Sequence, residues 1–235
     1  MRITVMNYTG TVGKTTIATH LLSPRMGSAP IIAVESINET AAGMGVAVEQ
    51  MKGDKFRELF QRMVVTEDLI VDVGASNIED FLEGMSRLDD SHVEFDFFIV
   101  PVTNGTKEQR ETISMISTLA TLGVPAEKIR LLFNRVDSSV EEEFHILLNY
   151  VGKNNNATVN TQAAIYENGL FDLLAIKKLS IDKLLNDPKD YKSLLREKKD
   201  AEPKQRAFWA EMFGLKLLAK GVNKNLDSVY AALFT

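Results

Sequence analysis

The 235-residue chain predicts an α/β fold, a mostly parallel twisted sheet with helices on both faces and a C-terminal helical extension. Three observations lead there. Short apolar runs rich in β-branched residues recur along the first two thirds of the chain, helix-compatible stretches separate them, and the first run enters a glycine-bearing turn that ends in Lys14.

The runs cover residues 3–6, 31–34, 69–73, 97–102 and 129–133, with a weaker one near 157–159. Helices are expected at 14–22, closed by Ser23 and Pro24, and at 55–64, 78–88, 107–122 and 140–150. Phe56, Leu59, Phe60 and Met63 have the spacing of one buried helix face. Lys153 to Asn156 reads as a surface loop. Beyond Gly152 the pattern is helical only, at 170–176, 181–185, 191–199, 204–220 and 225–233, with breaks at Pro188 and Pro203. This predicts a nucleotide-binding unit over residues 1–175 and a helical extension over 176–235, packed on the same domain.

Composition narrows the chemistry. A 45% hydrophobic chain of this length can bury a full core. No apolar stretch approaches the roughly 20 residues of a membrane span, and a first strand starting at Arg2 leaves no room for a leader, so a cytosolic protein without a stable membrane anchor is expected. The absence of cysteine excludes disulfides and thiolate chemistry. His20, His92 and His145 lie too far apart in sequence to form a ligand motif. The net charge of −5 hides an asymmetry: residues 176–225 hold 13 Lys and Arg against 7 Asp and Glu, a local +6. That segment would meet an anionic polymer first, although a solvated lysine-rich helix face explains it equally well.

Residues 8–16, Tyr-Thr-Gly-Thr-Val-Gly-Lys-Thr-Thr, read as a phosphate-binding loop. A strand delivers the chain to a turn whose N–H groups point inward, and a helix starting at Lys14 presents its positive end to phosphate. Gly10, Thr11, Val12 and Gly13 would form the cradle. Lys14 would reach the β- and γ-phosphates, Thr15 would complete the shell of a Mg²⁺ ion, and Thr16 would donate to the α-phosphate. Tyr8 stands where the pattern G-x-x-x-x-G-K-[ST] has its first glycine, so Gly13-Lys14-Thr15 and the order strand, turn, helix carry the reading.

Hydrolysis also needs acidic groups at the carboxyl ends of neighbouring strands. Asp72 ends the run 69–71, precedes a flexible Val73-Gly74-Ala75 turn and is the expected metal carboxylate. Glu35 ends the second run and is expected to attend the metal and the attacking water, with Glu39 a weaker second candidate. Asn134 and Arg135 end the fifth run, where a base-reading loop would sit. An asparagine amide there pairs with adenine, yet Asn134 to Asp137 also approximates the guanine pattern N-[KR]-x-D, which leaves the base open.

With those residues in view, the sequence resembles the deviant P-loop ATPases that include the ParA partition proteins, MinD and the nitrogenase iron protein. Residues 9–16 correspond to K-G-G-x-G-K-[ST]-T, Ala33 to Ser36 to the second-strand D-P segment, Ile70-Val71-Asp72 to the second switch, residues 98–102 to the "I-x-P" strand, and Phe133-Asn134-Arg135 to the adenine-side N-R. Within that group the short length and helical end look most like StbB-type plasmid-stability proteins. Three departures stand out: Thr9 replaces the lysine that reaches a partner's phosphates, Thr11 replaces the second glycine, and Glu35 replaces an aspartate.

The resemblance implies an ATP- and Mg²⁺-dependent switch that hydrolyses slowly, forms a nucleotide-dependent homodimer and acts in plasmid stability, partition, positioning or conjugative transfer. It implies a bacterial cytoplasmic or nucleoid-associated location, a plasmid-encoded DNA-binding partner, and non-specific contact with duplex DNA. Lys177, Lys178, Lys192, Lys198, Lys199 and Lys204 are the candidate DNA contacts, and Lys107 or Arg110 the candidate replacements for the missing lysine. Two rival readings remain: a dethiobiotin-synthetase-like ligase, and a MinD-like membrane-cycling regulator using the stripe Phe208, Met212, Leu215, Ala219. A nucleotide-gated scaffold without turnover is a third.

Overall fold

The computed structural model describes residues 1–35 and 48–235. Strand β1 (Arg2–Val5) runs into the loop, and α1 (Lys14–Thr16) continues without a break as a π-helical stretch, Ile17–Leu22, and then α2 (Ser23–Arg25). The expected stop at residue 22 does not occur. Ser23 N–H reaches back five residues to Ala18 O, and the helix runs on through Pro24, which has no N–H to give the ladder, while the Arg25 side chain donates to the His20 and Leu21 carbonyls.

Next come β2 (Ile31–Val34), β3 (Val48–Met51), α3 (Phe56–Val64), β4 (Leu69–Val73), α4 (Ile78–Arg87), β5 (Phe97–Val102) and α5 (Thr106–Thr121). They are followed by β6 (Ile129–Val136), α6 (Val140–Glu143), α7 (His145–Asn154), β7 (Ala164–Tyr166), α8 (Leu170–Lys177), α9 (Ile181–Asn186), α10 (Tyr191–Glu197) and α11 (Pro203–Leu233). Among the described residues the sheet has seven parallel strands in the order β3-β2-β4-β1-β5-β6-β7. The chain leaves central β1 toward β2 on one side and later crosses to β5 on the other. The carboxyl ends around β1 are where open α/β sheets place ligands.

Several expectations are corrected. Edge strands β3 and β7 were not anticipated, and residues 157–159 contribute only a bridge between Thr158 and Arg130. The helix expected over 140–150 breaks at buried Phe144, whose ring packs at 4.9 Å on Phe133, and resumes to Asn154 with Asn155 as a left-handed cap at φ 49°. The expected gap between residues 220 and 225 is absent. Helix α11 runs through Gly221 because Ala219, Val222, Leu226 and Val229 on either side are buried, and packing outweighs the roughly 1 kcal/mol propensity cost of one helical glycine.

Side chains alternate across the sheet and seal both faces. Ile32, Val34, Leu69, Val71, Val73, Phe98, Val100, Leu131 and Phe133 join α3, α4, α5 and α7 on one face. Ile3, Val5, Ile31, Ile70, Ile99 and Leu132 join the π-helical stretch and α8 to α11 on the other. Arg25 pins that second layer. It donates to Asp227 and Asn223 of α11 and to the carbonyls of His20 and Leu21 at the end of the helix that follows the glycine loop.

His20 lies inside this layer, 3% exposed, with Phe171 5.7 Å from its ring and Ile181 N–H 3.4 Å from Nδ1. Burial lowers its pKa from 6.5 to about 4. The unfolded chain therefore binds more protons than the folded one between those values. Stability that is fully present above pH 6.5 is lost as pH falls toward 4, by about 3 kcal/mol at most. Urea titrations of His20→Leu are expected to lack this part of the acid slope; an unchanged slope would assign it to other groups.

Candidate functional site

The loop between β1 and α1 is built around Gly13, which sits at φ 84° and ψ 27°, a region costly for any residue with a Cβ. A Cβ there would stand 2.4 Å from Asn134 Nδ2. That amide donates to Val12 O at 2.9 Å, so the end of β6 holds the loop's apex. Val12 is fully buried, while Gly10 and Thr11 face solvent. A Cβ on Gly10 would come 3.9 Å from Ala75 Cβ, which places the loop directly against the turn after β4.

Lys14 is 4% exposed and its ammonium donates to Thr9 O at 2.6 Å and Asn7 O at 3.1 Å. Burial lowers its pKa from 10.5 to about 8, and the Asp72 and Glu35 carboxylates pull it back up. Thr15 Oγ1 donates to Asp72 Oδ2 at 2.6 Å. Asp72 itself is 1% exposed; burial pushes its carboxyl up, against the Thr15 hydrogen bond and the Lys14 charge. Both shifts share one origin, the loss of water around a charge, and the attraction between the two groups opposes both.

Asp72 Oδ1 is buried with no hydrogen-bond partner among the described residues. A carboxylate oxygen left this way is costly unless a cation or water completes it. A hydroxyl and a carboxylate are also oxygen donors of the kind that Mg²⁺ takes. No cluster of three or more His, Asp or Glu able to hold a metal occurs among the described residues. Glu35 lies against the turn after β4: a Cβ on Gly74 would meet Glu35 Cγ at 3.0 Å and Val34 O at 3.1 Å, a tight approach. Glu39 lies outside the described residues.

A cavity of about 310 Å³ opens beside the loop, lined by Gly13, Thr16, Asn134 and Arg135 on one wall and by residues 166–168 with Phe171, Asp172 and Ala175 on the other. Arg135 adopts φ 56° where the pairing of β6 with β7 shifts register, which turns its side chain out to solvent. The structure thus brings the loop residues together with Asp72, Glu35, Asn134 and Arg135.

The lysines divide differently. Lys177 is paired with Glu211 at 2.7 Å, whereas Lys178, Lys192, Lys198, Lys199 and Lys204 are exposed. Met212, Leu215 and Ala219 are buried, so three of the four stripe positions face inward, whereas Phe208 is 46% exposed with its ring edge-on to Tyr191. Lys107 is exposed and lies 3.6 Å from Glu111.

Sequence reasoning missed several members of the site. Thr9 Oγ1 donates to Glu111 on α5, and Asn7 Nδ2 donates to Pro101 O and Thr112 Oγ1, each at 2.7 Å. Tyr8 turns away from the phosphate side, packing on the core and meeting Thr118 Oγ1 at 3.2 Å. A polar Asn7 directly after an apolar strand was the one local signal.

The architecture is shared with solved structures. MinD from Aquifex aeolicus matches with TM-score 0.54 at 13% identity over 80% of this chain and 90% of that one. MinD from Pyrococcus horikoshii, solved with Mg-ADP, matches with TM-score 0.51 at 16% identity, covering 76% and 86%. A Cyanothece McdA variant solved with ATP matches with TM-score 0.53 at 13% identity, covering 96% of each chain. Identities this low establish the common fold. No protein-family model and no curated protein sequence matches the chain.

Proposed function

We propose that this chain binds Mg-ATP at the Lys14 loop, hydrolyses it slowly and uses the two nucleotide states as a switch in partition or positioning of a cellular cargo, plasmid DNA in the StbB-like reading. One observation carries it: a buried ammonium, a Thr15–Asp72 pair at 2.6 Å and an orphaned Asp72 oxygen converge at the carboxyl ends of β1 and β4. The Mg-ADP and ATP bound to the MinD and McdA neighbours support the choice of ligand.

In this reading residues 1–175 carry the nucleotide and 176–235 form the helical extension. Thr15 and Asp72 would hold Mg²⁺, which when bound neutralises charge on the β- and γ-phosphate oxygens. Lys14 offers its remaining N–H to phosphate. Glu35, half-buried at the end of β2, would orient the attacking water. Asn134 and Arg135 stand at the wall of the cavity that would take the base. Thr9 brings no cation to the transferring phosphate, and an added cation there can be worth about three to five orders of magnitude in rate, hence slow turnover. Exposed Lys178, Lys192, Lys198, Lys199 and Lys204 support a non-specific duplex contact, with a DNA-binding partner protein supplying selectivity. A homodimer fits the exposed loop, because Gly10 and Thr11 are open to a second copy. The burial of Met212, Leu215 and Ala219 on α11 weighs against a membrane-cycling role.

Light scattering of the protein alone, with ADP, and with non-hydrolysable ATP or GTP analogues tests the switch and the base together. A mass that doubles only with the ATP analogue is expected. Equal mass in every state, with no heat of nucleotide binding by calorimetry, would end this reading.

A further inference from the structure

Three consecutive residues at the start of the phosphate loop are bolted to one helix. Asn7 Nδ2 donates to Thr112 Oγ1, Tyr8 Oη meets Thr118 Oγ1, and Thr9 Oγ1 donates to Glu111 Oε2, all on α5. The carbonyls of the first and third of these residues receive the Lys14 ammonium. An ammonium has three N–H groups. With two directed at Asn7 O and Thr9 O, the direction of the third follows from where those carbonyls stand. Asn7 is fixed twice over, by Pro101 O and Thr112, and its Oδ1 also accepts Thr9 N–H at 3.3 Å. The Thr9 side chain is held by Glu111 alone among its described contacts.

From this geometry we propose that Glu111 is a positioning residue for phosphate binding: through the Thr9 hydroxyl it fixes the Thr9 carbonyl, and through that carbonyl it aims Lys14. Glu111 touches neither phosphate nor metal in this scheme. Its carboxylate is the right group, because a charged acceptor makes a stronger hydrogen bond than a neutral one. Thr9 is 6% exposed, so water competes little for the bond. The inference rests on the Mg-ATP reading of the loop and adds to it a role for a residue 102 positions away in sequence.

The test is a double-mutant cycle on Mg-ATP affinity, measured by calorimetry on the full chain. Thr9→Val keeps the shape and removes the hydroxyl; Glu111→Ala removes the acceptor. Each is expected to weaken Mg-ATP binding by roughly three- to tenfold, and the double variant by no more than either single one. Thr9→Ser, which keeps the hydroxyl, should bind as the wild type does. Melting curves separate misfolding from misaiming. Wild-type affinity in Glu111→Ala, or losses that multiply in the double variant, would overturn the inference while leaving the nucleotide reading intact. No binding by the wild-type chain would overturn both.

Discussion

Lys14→Ala is expected to lower ATP turnover by about two to three orders of magnitude, and Mg-ATP affinity at least tenfold, without unfolding the protein. The size of the functional loss follows from where the charge sits. A preorganised cation in a site stripped of water acts on developing phosphate charge without solvent reorganisation, and no other described cation approaches Asp72 closely enough to affect its ionisation. The small effect on stability follows from two opposing terms. Removing the ammonium leaves the Asn7 and Thr9 carbonyls without a donor, at about 1–3 kcal/mol for each fully buried group. It also relieves the burial cost expressed in a pKa lowered from 10.5 to about 8, about 3 kcal/mol. The melting temperature should therefore move by only a few degrees. Loss of Lys14 also strips Asp72 of its neighbouring positive charge, which pushes that carboxyl further up and weakens its hold on Mg²⁺. Phosphate release, calorimetry and a melting curve on one preparation decide the matter. Unchanged turnover would remove Lys14, and with it the loop, from the chemistry.

The second large effect is expected from Gly13→Ala, and here stability falls as well. A Cβ at φ 84° costs about 1–2 kcal/mol in backbone strain. It would also stand 2.4 Å from Asn134 Nδ2, so the amide must swing away and abandon Val12 O. Orphaning that buried carbonyl adds about 1–3 kcal/mol. A total of roughly 2–5 kcal/mol lowers the melting temperature of a chain this long by about 10 °C. Asn134→Ala alone should cost only the lost bond. Combined with Gly13→Ala it removes the clash, so the double variant should fall short of the sum of the singles by about 1 kcal/mol or more. Strict additivity in chemical denaturation would show that the two residues do not meet.

These two positions also show what the sequence made legible. That Gly13, Lys14, Thr15 and Asp72 come together could be read because the sequence carries strand, turn and helix in a fixed local order, with a carboxylate at the end of the adjacent strand. The link between Thr9 and Glu111 could not be read, since nothing local relates a loop hydroxyl to a carboxylate on the outer turn of a distant helix. Strands β3 and β7 escaped for a different reason. Val-Glu-Gln-Met and Ala-Ile-Tyr are too short and too mixed to stand out as apolar runs, and edge strands need only one paired side. With β7 unseen, residues 166–168 and α8 could not be placed, and the far wall of the cavity beside Gly13 was missing from the reading. Helix α11 reads in sequence as two helices, 204–220 and 225–233, because local propensity cannot register the packing of Val222 and Leu226.

The clamp at the far end of the helix after the glycine loop would restrict how a signal from the proposed nucleotide travels. Arg25 ties the terminal carbonyls of the π-helical stretch to Asn223 and Asp227, and all six residues of that stretch are buried. A segment anchored at both ends cannot slide like a piston when a phosphate arrives or departs. In the nucleotide reading it would act as the stationary reference, and a displacement that distinguishes triphosphate from diphosphate would fall on the opposite rim, where Glu35 and the glycine turn at residue 74 face each other.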